Sequence, residues 1–432
     1  MTEAFERALR RVVEAKPEEL RALLWSFAYF FFLLASYFIL RPLRDEMGAA
    51  AGRDVLQWLF TGTFFAMLVA APLFAALVAR LPRRRFIPFV YRFFILNIVA
   101  FWALLQMDAW RVETARVFFI WVSVFNLFAV SVFWSFMADL YRTEQSKRLF
   151  GFIAAGGTAG TLLGSTVTVG LAGAIGPVNL LLVAAILLEV AVFCAIRLER
   201  VAGGSSQAPA GPARAAEGEV VGGGMFDGFR LILRSPYLAG IAAWVALLSL
   251  AGTFLYFIQI DVVRAASPDP ATRTRIFAGM DLAANLMTIA LQFVATGRLV
   301  RRIGAGPAAA ILPAVFALGF AALALAPGLA VIVVFQAIQR TANFAFSNPA
   351  REILFTSVAR DEKYKAKSLI DTAVLRAGDV AWGWGFAGLR ALGFGVSGVA
   401  TVAIPIMLGW LAIALALGRA QERRQNELQT RP

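Results

Sequence analysis

Apolar residues along this chain gather into twelve long runs. They fall at about 22–40, 54–80, 87–107, 115–138, 149–174 and 177–196, then at 236–260, 275–297, 307–326, 329–350, 367–392 and 396–418. An α-helix needs about 20 apolar residues to cross a hydrocarbon layer of about 30 Å, so each run reads as a membrane span. The stretches between them are short, with one exception. Residues 201–224, VAGGSSQAPAGPARAAEGEVVGGG, are rich in Gly, Ala, Pro and Ser and read as a flexible linker. The next segment, MFDGFRLILRSPY at 225–237, sets Phe226, Phe229, Leu231 and Leu233 beside two arginines, the pattern of an amphipathic helix on a membrane surface. Residues 1–21 mix both charge signs and lack a small-residue cleavage site, so they read as an amphipathic lead-in rather than a signal peptide. The pattern predicts an all-α polytopic membrane protein with about 12 transmembrane helices in two six-helix bundles. An N-terminal bundle at 22–196 and a C-terminal bundle at 236–418 flank a linker with its surface helix at 197–235, and a tail follows at 419–432.

The two halves repeat at an offset of 218 residues. Arg80-Leu81-Pro82-Arg83-Arg84 falls on Arg298-Leu299-Val300-Arg301-Arg302, and Thr143-Glu144-Gln145-Ser146-Lys147 falls on Asp361-Glu362-Lys363-Tyr364-Lys365. Gly160 falls on Gly378. The loop between spans two and three therefore recurs between spans eight and nine, and that between four and five recurs between ten and eleven. Parallel duplication of six helices about a central linker is the sequence form of a two-bundle transporter.

Composition agrees: 60% of the 432 residues are hydrophobic, only 16% are charged, and the mean hydropathy is +0.72. A net charge of +14 would raise the question of nucleic acid in a soluble protein. Here its distribution gives another meaning. Of the 41 Lys and Arg, 29 fall on the side of the termini and central linker, nine on the opposite side, and three, Arg92, Arg340 and Arg376, within spans. The positive-inside rule then places both termini and the central linker of this multi-pass chain in the cytoplasm. Basic charge spread over every loop on one side orients helices, and no nucleic-acid partner is expected.

Absent residues exclude chemistry. With no His there is no histidine metal site, no Ser-His-Asp or Cys-His nucleophile and no imidazole proton relay. The single cysteine, Cys194, sits in the apolar run AVFCAI and reads as packing. No Gly-x4-Gly-Lys-[Ser/Thr] motif is present, and Gly393-Phe394-Gly395-Val396-Ser397-Gly398 joins two apolar helices with no strand before it. No catalytic residue, metal or cofactor is expected, and the protein is read as not an enzyme.

Ionisable residues inside a span are costly in hydrocarbon and mark candidate sites. Span ten carries Gln336, Gln339, Arg340, Asn343 and Ser347, spaced to share one helix face, with Arg340 near the membrane midplane. These read as lining a solute cavity, against the alternative of a structural ion pair for Arg340. Span eleven carries Asp371, Arg376 and Asp379, where Arg376 and Asp379 are also spaced to pair within the helix. Asp281, Asn285, Thr288 and Gln292 form a stripe on span eight, and Asp139 closes a stripe with Ser131 and Ser135 on span four. Asp139, Asp281, Asp371 and Asp379 are the candidate gating or coupling carboxylates. Arg41 and Arg44, beside Pro42 at the end of span one, either bind an anion or form an interfacial cluster with Asp45 and Glu46. Pro42 is expected to kink or end that helix. Arg92 is expected to snorkel, and no partner for Glu189 is visible in the sequence. On span five, Gly156, Gly160, Gly164 and Thr168 make a small residue at every fourth position, a helix-packing face.

Several strings carry a resemblance. The basic loops, with GRLVRRIGAG in the second copy, resemble the signature loops of the major facilitator superfamily. LRPLRD at 40–45, FWSFMADL followed by EQSKRLF up to Phe150, FRLILRSPYL, and REILFTSVARDEKYKAKSLIDTAVLRAGD at 351–379 together resemble the ATP/ADP translocase family, a nucleotide-transporting branch of that architecture. The resemblance implies exchange of nucleotides or other phosphorylated anions by alternating access. It implies solute-binding roles for Arg41, Arg44 and Arg376, alongside Gln336, Arg340 and Asn343 read from span ten. One departure matters. Where the family has Arg-x-Gly-Lys, this chain has Arg376-Ala377-Gly378-Asp379, which inverts a charge a phosphate would need. The chain therefore looks like a bacterial side branch whose solute is smaller or less charged. The expectation is a monomeric secondary transporter whose partners are the bilayer and a small anionic solute. The alternative is a proton-coupled exporter of amphipathic compounds using Asp281 and Asp379.

Overall fold

The computed structural model describes residues 16–52, 54–80, 83–107, 110–204, 225–294, 304–358, 366–367 and 369–429. The lead-in at 1–15, most of the linker, the second basic loop at 295–303 and the loop at 359–365 lie outside the described residues. Every described element is helical. Spans one to seven are Leu20–Ala51, Leu56–Arg80, Arg83–Leu105, Arg111–Leu140, Thr143–Ile175, Leu180–Gly204 and Pro236–Ala266. Span eight is Pro270–Val294, span nine is Ala305–Leu325 and span twelve is Val396–Gln429.

Spans ten and eleven are composite. Leu329–Ala342 passes through a π-helical turn, Asn343–Ser347, into Asn348–Leu354, and a second π turn, Ile370–Val374, leads into Leu375–Ala391. Among the described residues, ten helices are long and apolar enough to cross a membrane. Spans eight and eleven fall short of that composition because of what they carry: Arg273, Arg275 and Asp281 in one, Arg376, Asp379 and Arg390 in the other. The protein is thus an all-α, multi-pass membrane protein.

Three local outcomes depart from or refine the sequence pattern. Pro42 neither ends nor interrupts span one, which runs on to Ala51. A proline removes one backbone bond, and in a span buried among other helices that loss is tolerated. The surface helix is Met225–Arg234, and Ser235 caps the next helix by accepting from the Leu238 amide (3.4 Å), with Pro236 in its first turn. Span twelve continues into the tail, where Gln421 is buried and the Arg424 guanidinium lies 4.5 Å from the Tyr237 ring centroid.

The duplication is visible in packing. Span one packs on spans four, five and six, and span six on three; in the second half, span seven packs on ten, eleven and twelve, and twelve on nine. The register is 218 residues at close range. An added Cβ at Gly160 would meet the Phe31 carbonyl oxygen, and one at Gly378 would meet the Ser249 hydroxyl at 2.8 Å. Ser249 is Phe31 plus 218. Gly156 and Gly164 likewise press on the carbonyls of Phe27 and Ala35, so the small-residue stripe of span five is a helix contact.

The chain divides into two compact units. The first contains Met1–Ala51, Phe65–Glu217 and Asp269–Leu282; the second contains Gly52–Phe64, Gly218–Pro268 and Ala283–Pro432. Each therefore includes a short segment from the other half of the sequence, and the two segments are nearly repeat-related. In the second unit, the start of span two is held by aromatic contacts: Trp58 meets Trp384 at 4.8 Å and Phe60 meets Phe257 at 5.0 Å between centroids. In the first, the start of span eight is held by charges, as described below.

The first unit has a dense aromatic core. Phe118, Phe125 and Phe133 of span four are fully buried. Phe133 stacks on Phe30 at 4.1 Å, and Tyr29 donates to the Tyr91 hydroxyl (2.8 Å), which donates to the Ala129 carbonyl (3.0 Å).

Candidate functional site

Helical geometry sets out the candidate residues of the first unit along the far third of span one. Arg41 lies 3.0 Å from Asp281 of span eight, with the carboxylate buried. The substrate-binding arginine and the gating carboxylate expected from sequence are therefore partners. Arg44 takes the neighbouring Asp45 through Nε and Nη2 (3.1 and 2.9 Å), donates from Nη1 to the Ser123 hydroxyl (3.3 Å), and lies over the Phe119 ring. Glu46 is held by Arg273 at 2.6 Å, both nearly buried. Arg44 thus pairs with Asp45 within span one, while Glu46 pairs with Arg273 of span eight. Buried pairs of this kind are tolerated only with good geometry and further hydrogen bonds, which Arg44 shows. Asp139 sits half-buried in the last turn of span four.

The second unit carries the span-ten stripe. Gln336 is buried and donates to the Gln259 side chain of span seven. Gln259 is the repeat equivalent of Arg41, so the same position holds a cation in one unit and an amide in the other. Arg340 follows one turn later and is half-buried. Asn343 opens the π turn and Ser347 closes it. An α-helix advances about 100° per residue, so residues four apart drift by about 40°. A π turn is wider and advances less per residue, which reverses the drift between Asn343 and Ser347. It therefore brings Gln339, Asn343, Ser347 and Arg351 closer to one line. Each of these four has a buried side-chain polar atom with no hydrogen-bond partner among the described residues: Gln339 Oε1, Asn343 Oδ1, Ser347 Oγ and Arg351 Nε. Unpaired buried polar atoms and π turns both recur at functional sites, which makes this line the candidate site of the second unit.

The line ends at Asp371, which lies 3.4 Å from Arg351 and within the second π turn. Farther along span eleven, Asp379 accepts from the Ser249 hydroxyl (2.6 Å) and lies 3.6 Å from Arg376, so the intrahelical pair forms. Sequence reading missed Gln259, Ser249 and Arg351. The repeat offset from Arg41 and Phe31 would have found the first two, whereas Arg351 looked like a loop charge. Cavities of about 730 Å³, lined by Asp54, Gln57, Asp261, Trp384 and Arg390, and of about 560 Å³, lined by Glu46, Arg111, Asp269 and Arg273, contain none of the expected solute ligands.

Two parallel six-helix repeats with polar and charged groups held inside their spans define a transporter of the two-bundle class. The sequence profile of the Major Facilitator Superfamily matches residues 22–365, and the chain belongs to that superfamily. No curated protein sequence matches it significantly. Among solved structures it is similar to a variant of the nucleoside transporter NupG, at 15% identity over 94% of this chain and 99% of that one (TM-score 0.62). It is also similar to an auto-inhibited peptide transporter of the POT family, at 14% identity over 94% and 97% (TM-score 0.61). A third is a bacterial homologue of the human lysosomal transporter Spinster, solved inward-facing and unoccupied, at 14% identity over 95% and 98% (TM-score 0.56).

Proposed function

We propose that this protein is a secondary active transporter that moves a small anionic solute of low net charge, nucleotide-like or otherwise phosphorylated, by exchange or ion coupling through alternating access. The observation that carries the reading is self-neutralisation: Arg41, Arg44 and Arg376 lie 3.0, 2.9 and 3.6 Å from Asp281, Asp45 and Asp379. A polyphosphate needs guanidinium groups to spare. A less charged solute needs fewer cations, with amides completing its hydrogen bonds. Span ten sets Arg340 among Gln336, Gln339 and Asn343 near its middle, a face of one cation and several amides. The resemblance to ATP/ADP translocases supports a nucleotide-like solute, and Asp379 in place of the family's lysine supports a less charged one. The basic-loop bias supports a bacterial inner membrane with both termini in the cytoplasm.

The test is competition in proteoliposomes. A nucleoside monophosphate is expected to compete for uptake at least tenfold better than ATP. Preference for ATP overturns the reading. A second reading, proton-coupled export of amphipathic compounds, draws on the buried carboxylates of Asp281 and Asp379. It predicts drug sensitivity on deletion and no solute counterflow.

A further inference from the structure

One pair of charges belongs to no part of this site. Arg92 of span three and Glu189 of span six are joined by Nη2 to Oε1 at 2.8 Å and by Nε to both carboxylate oxygens at 3.3 and 3.4 Å. Their side chains are 57% and 47% exposed on the outside of the first unit. They are embedded in apolar surface: Phe89, Phe93 and Leu96 flank Arg92, and Ile186 and Phe193 flank Glu189, all exposed. At 1.5 Å per residue, Arg92 lies about 9 Å along its span from Phe86, and Glu189 about 14 Å from Leu180. Both therefore lie well inside segments apolar enough to cross a membrane, on exposed faces of their helices. Lipid tails offer no hydrogen bonds, and this pair uses neither N–H of Arg92 Nη1.

We propose that spans three and six form a homodimer face, with a second copy of this chain as occupant and the Arg92–Glu189 pair at its centre. Charge complementarity under two-fold symmetry points to this occupant. The two residues stand side by side on adjacent helices, at one depth because they touch. A two-fold axis along the membrane normal preserves depth and exchanges left for right across the interface. Each guanidinium then meets the other copy's carboxylate, and two pairs become a ring of four alternating charges. Such an isologous contact closes on itself and gives a dimer, not a filament. A zwitterionic headgroup also carries both signs, but it resides at the membrane surface, whereas this pair lies about 9 Å or more along its apolar segments from the nearer end. The proposal departs from the monomer expected from sequence because an ion pair left exposed on an apolar helix face is costly in hydrocarbon.

Single-molecule photobleaching of the full-length protein in bilayers, over a range of protein-to-lipid ratios, tests the proposal. The wild type is expected to bleach in two steps at densities where R92L/E189L bleaches in one, with at least a tenfold loss of dimer. A thermal melt checks that the variant folds. R92E alone is expected to dissociate the dimer, and the charge swap R92E/E189R to restore it, which keeps the test alive if the leucine variant is unstable. In a Cys194→Ala background, Ile186→Cys is expected to cross-link to its counterpart. A wild type that stays monomeric at every density, including one that retains a bound zwitterionic lipid, overturns the proposal, as does a dimer indifferent to R92L/E189L.

Discussion

Spans four and ten descend from one repeat and have parted in chemistry. At the 218-residue offset, Phe118, Val122, Phe125 and Ala129 correspond to Gln336, Arg340, Asn343 and Ser347. The first set is buried in an aromatic core, and span four is a continuous helix. The second set is polar, and its helix is interrupted by a π turn. A duplicated helix can keep its place in the bundle while one copy holds the unit together and the other carries the chemistry. The same division recurs at the exchanged segments, where Trp58 and Phe60 do in one unit what Arg273 and Asp281 do in the other.

Substitutions at matched positions break or sharpen this comparison. Phe125→Ala is expected to lower stability by about 3–5 kcal/mol, as large-to-small changes in packed aromatic cores do. Asn343→Ala, its repeat equivalent, is expected to change stability by less than about 1 kcal/mol and to reduce transport sharply. Melting temperature and uptake together decide it, and a large stability loss at Asn343 would make the polar face structural.

Asp281→Asn is expected to cost about 3–5 kcal/mol, because it leaves the Arg41 guanidinium uncompensated. Gln259→Leu in the second unit breaks a neutral bond and is expected to cost about 1–2 kcal/mol. Equal losses in denaturation would mean the Arg41–Asp281 pair is not the anchor of span eight. Gly160→Ala is expected to cost about 1–3 kcal/mol by pushing on the backbone of Phe31. Gly378→Ala is expected to cost less, since the Ser249 side chain can turn away. A reversal of that order in thermal melts would count against the shared register.

The smallest effect is expected from pH. Burial raises the Glu19 carboxyl, but the Lys16 amide, Gln145 and Arg148 together outweigh it and hold the group below its ordinary value of 4.5. A lowered native pKa contributes stability above the unfolded value that is lost as pH falls through the native one. Wild type is therefore expected to lose melting temperature below about pH 4.5, and Glu19→Gln to lose less over the same range.

Much of the fold was legible because hydrocarbon imposes length and composition on helices. Each of the twelve runs coincides with a helical segment, although spans one, six and twelve end 8 to 11 residues past the apolar run, and the offset that related two loops also relates Gly160–Phe31 to Gly378–Ser249. The site was legible only in part. A stripe of Gln, Arg, Asn and Ser announces a polar face, but nothing in NFAFS announces a π turn, since i→i+5 bonding depends on what packs against the helix. Ion-pair partners were hidden for another reason. Arg41 and Asp281 are 240 positions apart, Arg92 and Glu189 are 97 apart, and single-sequence spacing relates only neighbours on one helix. Arg376 and Asp379, three apart, were readable.

The central claim is that the polar face of span ten reads the solute. Solute counterflow in proteoliposomes containing Arg340→Ala, set beside its melting temperature, tests it most directly. The account predicts a fall of at least about a hundredfold in rate, close to 2.7 kcal/mol of lost stabilisation, with the melting temperature retained. Wild-type counterflow by a folded Arg340→Ala protein would contradict it.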